Sequence, residues 1–324
     1  MLVTGGCGFI GCNFLRQVVP GRPETEWVNL DALTYAGWTE NTEDFVGAEN
    51  YRFVHGDIED GMAVERLLSE GFDAVVNFAA ESHVDRSIAG PRVFVETNVV
   101  GTQNLLEAAR RHGVGRFVQV STDEVYGTLG PDDPAFTEES PLQPNSPYAA
   151  SKASADLLCR AYNETYGMPV IVTRCSNNYG PYQYPEKLIP SFIRHALRDE
   201  PVPLYGDGMN VRDWLHVEDH CRAVALVLDR GAPGGVYNIG GNNERTNLEI
   251  TELILGSLGK PESLISYVTD RLGHDRRYAI DSSHIQETLG WTPDHTFETG
   301  IRQTIEWYTR NLDWAFRVTA DAAG

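Results

Sequence analysis

Met1-Leu2-Val3-Thr4-Gly5-Gly6-Cys7-Gly8-Phe9-Ile10-Gly11 opens the chain. A short apolar run leads into glycines at 5, 8 and 11, and a helix start follows. Glycine here permits a tight turn, lets backbone approach a pyrophosphate, and lets a helix pack closely on a strand. The helix N-terminus behind the loop then faces the phosphates. The spacing predicts the first strand–turn–helix unit of an α/β doubly wound parallel sheet, with Gly5, Gly8, Phe9, Ile10 and Gly11 against a dinucleotide. A glycine motif alone is weak evidence. Its position at the end of the first strand gives it weight.

Outward from that loop, Val28-Asn29-Leu30-Asp31 ends a second strand twenty residues after Gly11. An acid at this distance suits a ribose 2′-hydroxyl. No arginine adjoins Asp31 to meet a 2′-phosphate, so the expected cofactor is NAD rather than NADP. The next strand, Tyr51 to Ile58, ends in Asp57, an acid suited to an adenine amino group. Asp73 to Ala80 is a continuous apolar run, the mark of a parallel strand buried on both faces. Small Ala79 and Ala80 at its end allow a cofactor to come close. A polar loop, Glu81 to Ser87, follows. His83 within it reads more simply as a hydrogen-bonding loop residue than as a catalytic one. Pro91 is expected to begin a long helix through Thr97 and Asn98 to His112. Strand 116–120, an irregular loop at 128–147 carrying five prolines, a helix from Tyr148, strand 169–174 and a terminal loop at 177–181 complete a Rossmann alternation over residues 1–180.

Chemistry concentrates at 121–152. Ser121-Thr122-Asp123-Glu124 follows a strand whose carboxyl end is where open α/β sheets place their sites. Tyr148 and Lys152 are four residues apart, on one face of the expected helix. A free phenol with a pKa of about 10 is a poor base at neutral pH. A lysine ammonium one turn away favours its phenolate, as would a cationic nicotinamide ring. The chain contains only three lysines, Lys152, Lys187 and Lys260, so a chance pair at this spacing is unusual. The adjacent carboxylates Asp123 and Glu124 can hold different protonation states, as opposed acid and base roles require.

After Gly180 the pattern loosens and prolines recur. A smaller substrate-binding part is expected over 181–324, with the chain rejoining the first part at about 213–240. Lys187 precedes a helix. Thr246 reads as the N-cap of a helix over 246–259. Arg271, His274, Arg276 and Arg277 concentrate cations in a chain otherwise short of them, although Arg276 and Arg277 are also readable as surface charges. Residues Val318 to Gly324 read as a mobile tail.

The 324 residues carry a net charge of −20, which argues against nucleic acid and anionic membranes as partners. No apolar run approaches the length of a membrane span. The five cysteines form no CxxC pair, and with no signal peptide apparent they read as reduced thiols of a cytoplasmic protein. Cys7 and Cys12 belong to the glycine loop, and no metal site is expected.

The motifs together resemble the extended short-chain dehydrogenase/reductases and, more narrowly, the dTDP-glucose 4,6-dehydratases. The resemblance runs to about residue 312. It rests on Leu33-Thr34-Tyr35-Ala36-Gly37, Ala79 to Ser87, Ser121 to Gly127, Asn177-Asn178-Tyr179-Gly180-Pro181, Lys187-Leu188-Ile189-Pro190 and Gly273 to Tyr278. Leu272, Asn13, Cys7 and Cys12 depart from the usual residues, and none is a reacting group. The resemblance implies NAD kept bound and regenerated, a dTDP-sugar substrate, and homodimers joined by the long helices. It implies Tyr148, Lys152, Thr122, Asp123 and Glu124 as the catalytic set. It adds Leu33, Thr34, Ile58, Ser82, Thr97 and Asn178 on the cofactor side. On the substrate side it places Ser82, His83, Thr122, Asn177, Lys187, Leu188, Pro203 and Tyr205, and then Arg212, Asn247, Arg271, His274 and Tyr278. Two rivals remain at this point. A sugar-nucleotide 4-epimerase needs the same Tyr and Lys but no acid pair, and a non-catalytic NAD-binding sensor needs neither.

Overall fold

The computed structural model of the chain describes residues 1–270 and 272–320. Twelve strands occur among them: β1 Leu2–Thr4, β2 Trp27–Asp31, β3 Tyr51–His55, β4 Ala74–Asn77, β5 Arg116–Thr122, β6 Val170–Cys175, β7 Asn177–Tyr179, β8 Val202–Tyr205, β9 Val211–His216, β10 Val236–Ile239, β11 Glu244–Thr246 and β12 Ile265–Val268. Seven form a parallel sheet in the order β10-β6-β5-β4-β1-β2-β3. β1 lies between β2 and β4, with Leu2 in register with both Val28 and Val75. The strand order reverses there, and such a switch point opens a crevice at the carboxyl edge. The glycine loop, Asp31, the Ala79 loop and Thr122 all leave strands at that edge.

Helices cover both faces, which is why the central strands read as unbroken apolar runs. Alternate side chains still part company, because successive residues of a strand face opposite ways. Val3, Val76 and Val118 join one core with Phe14, Leu15 and Val224. Their neighbours Leu2, Val75 and Phe117 join the other with Leu105 and Leu106. A third core gathers Tyr179, Phe192, Trp214, Ile250 and Phe297 around the two small sheets, β11-β9-β7 and β12-β8. The chain returns to the large sheet when β10 pairs with β6.

Three expectations change in detail. Asn177–Tyr179 is a strand rather than a loop, because it finds β9 as a partner from Asn177↔Trp214 to Tyr179↔His216. Of the expected tail, Val318 to Ala320 form the end of the Leu312–Ala320 helix, and 321–324 lie outside the described residues. Val318 is fully buried, and Tyr184 Oη donates to its carbonyl at 3.1 Å. Pro91 caps the long helix instead of starting it, and the helix passes through a π-helical turn at Glu96–Gly101. Such turns often mark functional sites. Here the turn carries Thr97 and Asn98. Asn98 holds Glu81 by both its N–H and its carbonyl at 2.9 Å and also reaches Ser151.

His220 sits on the Val217–Arg230 helix with no exposure, its Nδ1 2.9 Å from Asn178 Oδ1. Burial holds its pKa down at about 3, whereas an unfolded imidazole titrates near 6.5. On acidification the unfolded chain takes a proton that the folded one refuses. His220 therefore lowers stability progressively from about pH 6.5 downwards, by about 1.4 kcal/mol per pH unit. Urea midpoints taken between about pH 7 and pH 4 should fall less steeply for His220→Gln than for wild type. Equal slopes would contradict a neutral buried ring.

Candidate active site

The crevice is a single cleft of about 480 Å³ running from the glycine loop to Lys187. At one end lie Gly5, Gly8, Phe9, Ile10 and Gly11. Gly5 has φ +70°, and a Cβ there would fall 2.6 Å from Ala79 N; one on Gly11 would fall 2.2 Å from Gly5 O. Only glycine lets this loop lie so tightly on β4. The Phe9–Gly21 helix starts at Gly8 without a side-chain cap, which leaves its first N–H groups for an anion. Asp31 takes Cys7 N–H on Oδ2 and Leu33 N–H on Oδ1, both at 2.8 Å. Burial pushes its pKa up and these two donors pull it down. Anchored this way, the carboxylate keeps lone pairs for a diol. Thr34, Asp57, Ile58, Ala79, Ala80, Ser82 and Thr97 continue the wall. Leu33 does not line it; its φ of 53° turns the chain around Asp31. The set fits an NAD molecule, Asp31 being held by backbone N–H groups rather than by a basic side chain.

At the cleft's middle stand Thr122, Asp123, Glu124, Tyr148 and Lys152. Ser146 caps the Pro147–Tyr166 helix by accepting from Ala149 N at 3.0 Å, Pro147 occupies the first turn, and Gly167 ends it in the left-handed region. This start fixes where Tyr148 enters the cleft. Thr122 is the hub. Its hydroxyl bonds the Tyr148 phenol, lies 3.3 Å from Asp123 Oδ1 and accepts from Glu124 N at 3.3 Å. The acid pair and the tyrosine thus occupy the same side of the sheet. Asp123 is buried, and its Oδ2 has no hydrogen-bond partner. Burial, then the charges of Glu124 and Asp213, raise its pKa well above the carboxylate range.

Tyr148 is buried beside this group. Its pKa stands well above the ordinary phenol value, because burial and the charge of Glu124 outweigh the Thr122 hydrogen bond. Lys152 stands one turn further along the helix. The ammonium is buried and donates to Val120 O at 2.8 Å.

Asn177, Asn178 and Lys187 line the far end, and Lys187 Nζ donates to Ser82 O at 3.0 Å. Asn178 is held by Gln183 Nε2 on its carbonyl and by His220 on its side chain. His83 lies outside the lining. It caps the Val84–Ala89 helix, with Nδ1 accepting from Arg86 N at 3.4 Å, and faces Glu186 at 3.7 Å. Leu188 is the first residue of its helix and packs on the third core.

A second group lies beside the cleft. The Arg212 guanidinium sits 4.4 Å over the Tyr278 ring and donates to Asp275 O at 2.9 Å. Tyr278 bonds the Asp275 carboxylate. Asn247 is buried with Oδ1 unpartnered. Arg212 acts electrostatically on Asp123, and Glu124 acts on Tyr278, so this group adjoins the acid pair. Tyr205 and His274 meet edge to face, Pro203 is half-buried on β8, and His274 bonds Asp270 at 2.6 Å. Arg271 lies outside the described residues. Arg276 and Arg277 pair with Asp207 and Glu244.

The sequence did not single out Glu81, Gln183, Tyr184 or Glu186 as lining residues. Tyr35, quoted only within a motif, lies under Arg86 at 3.7 Å and bonds Glu186. The one available signal was Glu186 standing next to Lys187.

A glycine loop at the switch point of a doubly wound sheet, with Tyr148 and Lys152 one turn apart beyond it, defines an extended short-chain dehydrogenase/reductase. The sequence model of the GDP-mannose 4,6 dehydratase family matches residues 2–304. Within it the chain belongs to the dTDP-glucose 4,6-dehydratase family. It is 56% identical to the dTDP-glucose 4,6-dehydratase of Xanthomonas campestris pv. campestris, over 97% of this chain and 94% of that one. The dTDP-glucose 4,6-dehydratase of Streptomyces venezuelae, solved with NAD and a second ligand bound, superposes with a TM-score of 0.95. It is 54% identical and covers 98% of this chain and 99% of its own. A UDP-glucose 4-epimerase from Thermotoga maritima still reaches a TM-score of 0.89 at 31% identity, covering 96% of this chain and 99% of its own. The fold therefore does not separate dehydration from epimerisation.

Proposed function

We propose that the chain converts dTDP-glucose to dTDP-4-keto-6-deoxyglucose and water. One observation carries this reading: Thr122 joins Asp123, Glu124 and Tyr148 on one side of one cleft, at the far side of a dinucleotide loop. NAD, when bound, supplies a hydride acceptor, a hydride donor and a positive charge against the phenol. Tyr148 takes the proton of the sugar 4-hydroxyl, which Thr122 orients, while Lys152 offsets the phenolate's charge. The 4-ketone that results acidifies C5. Glu124 removes the C5 proton as base. Asp123, kept protonated by burial and by its charged neighbours, gives its proton to the departing 6-hydroxyl. Two neighbouring carboxyls in unlike surroundings can hold these opposite states.

Residues 1–180, rejoined at about 213–240, hold the cofactor; 181–324 hold most of the nucleotide's contacts. Arg212 and Lys187 face the diphosphate, since bidentate guanidinium suits phosphate oxygens. Asn177 and Asn247 serve phosphate or base, and Tyr278 and His274 the same end. The protein acts as a homodimer. Val95 on the long helix and Leu157 on the Tyr148 helix are exposed apolar side chains that a second copy would cover. Five free, buried cysteines suit a cytoplasmic setting. No described helix is long and apolar enough to cross a membrane.

Substrate deuterated at C4 tests the reading. The deuterium should appear in the C6 methyl group of a 4-keto product. Deuterium kept at an inverted C4 would make the protein an epimerase, and unconverted sugar would make it a sensor.

A further inference from the structure

The helical face that carries Tyr148 and Lys152 continues one turn further to Asp156. All three side chains are buried. Beneath them runs a chain of hydrogen bonds that the reaction as described does not use. Arg174 Nε donates to Asp156 Oδ2 at 2.9 Å, and the two side chains are only 7% and 2% exposed. Arg174 Nη1 donates to Tyr126 Oη at 2.9 Å, and its guanidinium lies 4.9 Å over the same ring. Tyr126 donates to Asn238 Oδ1 at 2.8 Å, and Asn238 is pinned by Phe136 O at 3.1 Å. The line therefore runs from β10, across β6, to Asp156, one turn along the helix from Lys152.

A buried ion pair by itself adds little stability, because desolvation offsets the attraction. Its position suggests another use. A fully buried ammonium tends to lose its proton, and burial does pull the Lys152 pKa down. The groups that face Lys152 are Tyr148, Asp156 and Cys159 on its own helix, Cys175 from β6 and the Val120 carbonyl from β5. Of these, Asp156 is the strongest influence in favour of the charged form. Burial raises the Asp156 pKa, and the charge of Arg174 and its hydrogen bond hold that rise back.

We propose that Asp156, kept ionised by Arg174, is a positioning residue that keeps Lys152 charged under the Tyr148 phenol. This rests on the reading in which Tyr148 takes the 4-hydroxyl proton. Two of the three Lys152 N–H bonds remain after the one to Val120 O, so the ammonium can serve the cleft while Asp156 holds its charge from behind.

The experiment is the pH profile of the first step, followed as reduced nicotinamide formed in a single turnover of holoenzyme with dTDP-glucose. In Asp156→Asn the alkaline limb, where Lys152 loses its proton, should move down by about one to three pH units. Asp156→Glu should restore it toward the wild-type position. A role confined to folding would lower the unfolding midpoint and leave the limb in place, and a folded Asp156→Asn protein with an unmoved limb overturns the proposal. If Asp156→Asn does not fold, Asp156→Asn/Arg174→Leu removes both buried charges and carries the same expectation. Lys152→Met is run in parallel. A slow Lys152→Met with an unmoved Asp156→Asn limb defeats the Asp156 role alone, whereas a wild-type rate in Lys152→Met defeats the Tyr148–Lys152 reading beneath it.

Discussion

Tyr148→Phe should slow the first hydride transfer by about 10² to 10⁴, the usual contribution of a positioned general base. The substitution removes one oxygen and little else. The ring is 8% exposed and meets Phe94 edge to face at 6.3 Å, and phenylalanine can keep that contact. The lost group is the hydroxyl bonded to Thr122. Stability should therefore change far less than rate. Burial and Glu124 hold the phenol's pKa high in the protein alone, so proton acceptance depends on positive charge arriving with the cofactor and on Lys152 staying ionised. Formation of reduced nicotinamide in a single turnover reads the step directly. A wild-type rate in Tyr148→Phe would remove Tyr148 as the base.

Much of this was legible in the sequence because its causes are local. Glycine is required at 5 by the backbone of Ala79 and at 11 by the loop's own carbonyl. The β4 and β5 runs are buried almost throughout and mainly apolar because both faces are covered. Ser146-Pro147 announces the helix that presents Tyr148, and the Thr246 cap is present as a full capping box with Glu249. What stayed hidden depends on distant parts of the chain. Glu186 enters the cleft only because Arg86 and Tyr35, far away in sequence, meet it. Val318 is ordered by Tyr184, 134 residues earlier. No spacing rule shows that Lys152 spends one of its N–H groups on the Val120 carbonyl. The π-helical turn carrying Asn98 has no sequence signature in this chain, yet it ties the Glu81 loop to the Tyr148 helix.

Glu124→Gln separates the two halves of the chemistry. Glutamine nearly preserves the shape of glutamate but has no basic carboxylate. The backbone N–H of residue 124 still reaches Thr122, so the turn that carries Asp123 should persist. C4 oxidation should remain measurable, while overall turnover should fall by about 10² to 10⁴. The decisive quantity is deuterium entering C5 of the sugar in heavy water. Wild-type protein should incorporate it, and Glu124→Gln should oxidise C4 yet leave C5 almost unlabelled. Labelling of C5 by Glu124→Gln at the wild-type rate would contradict the account.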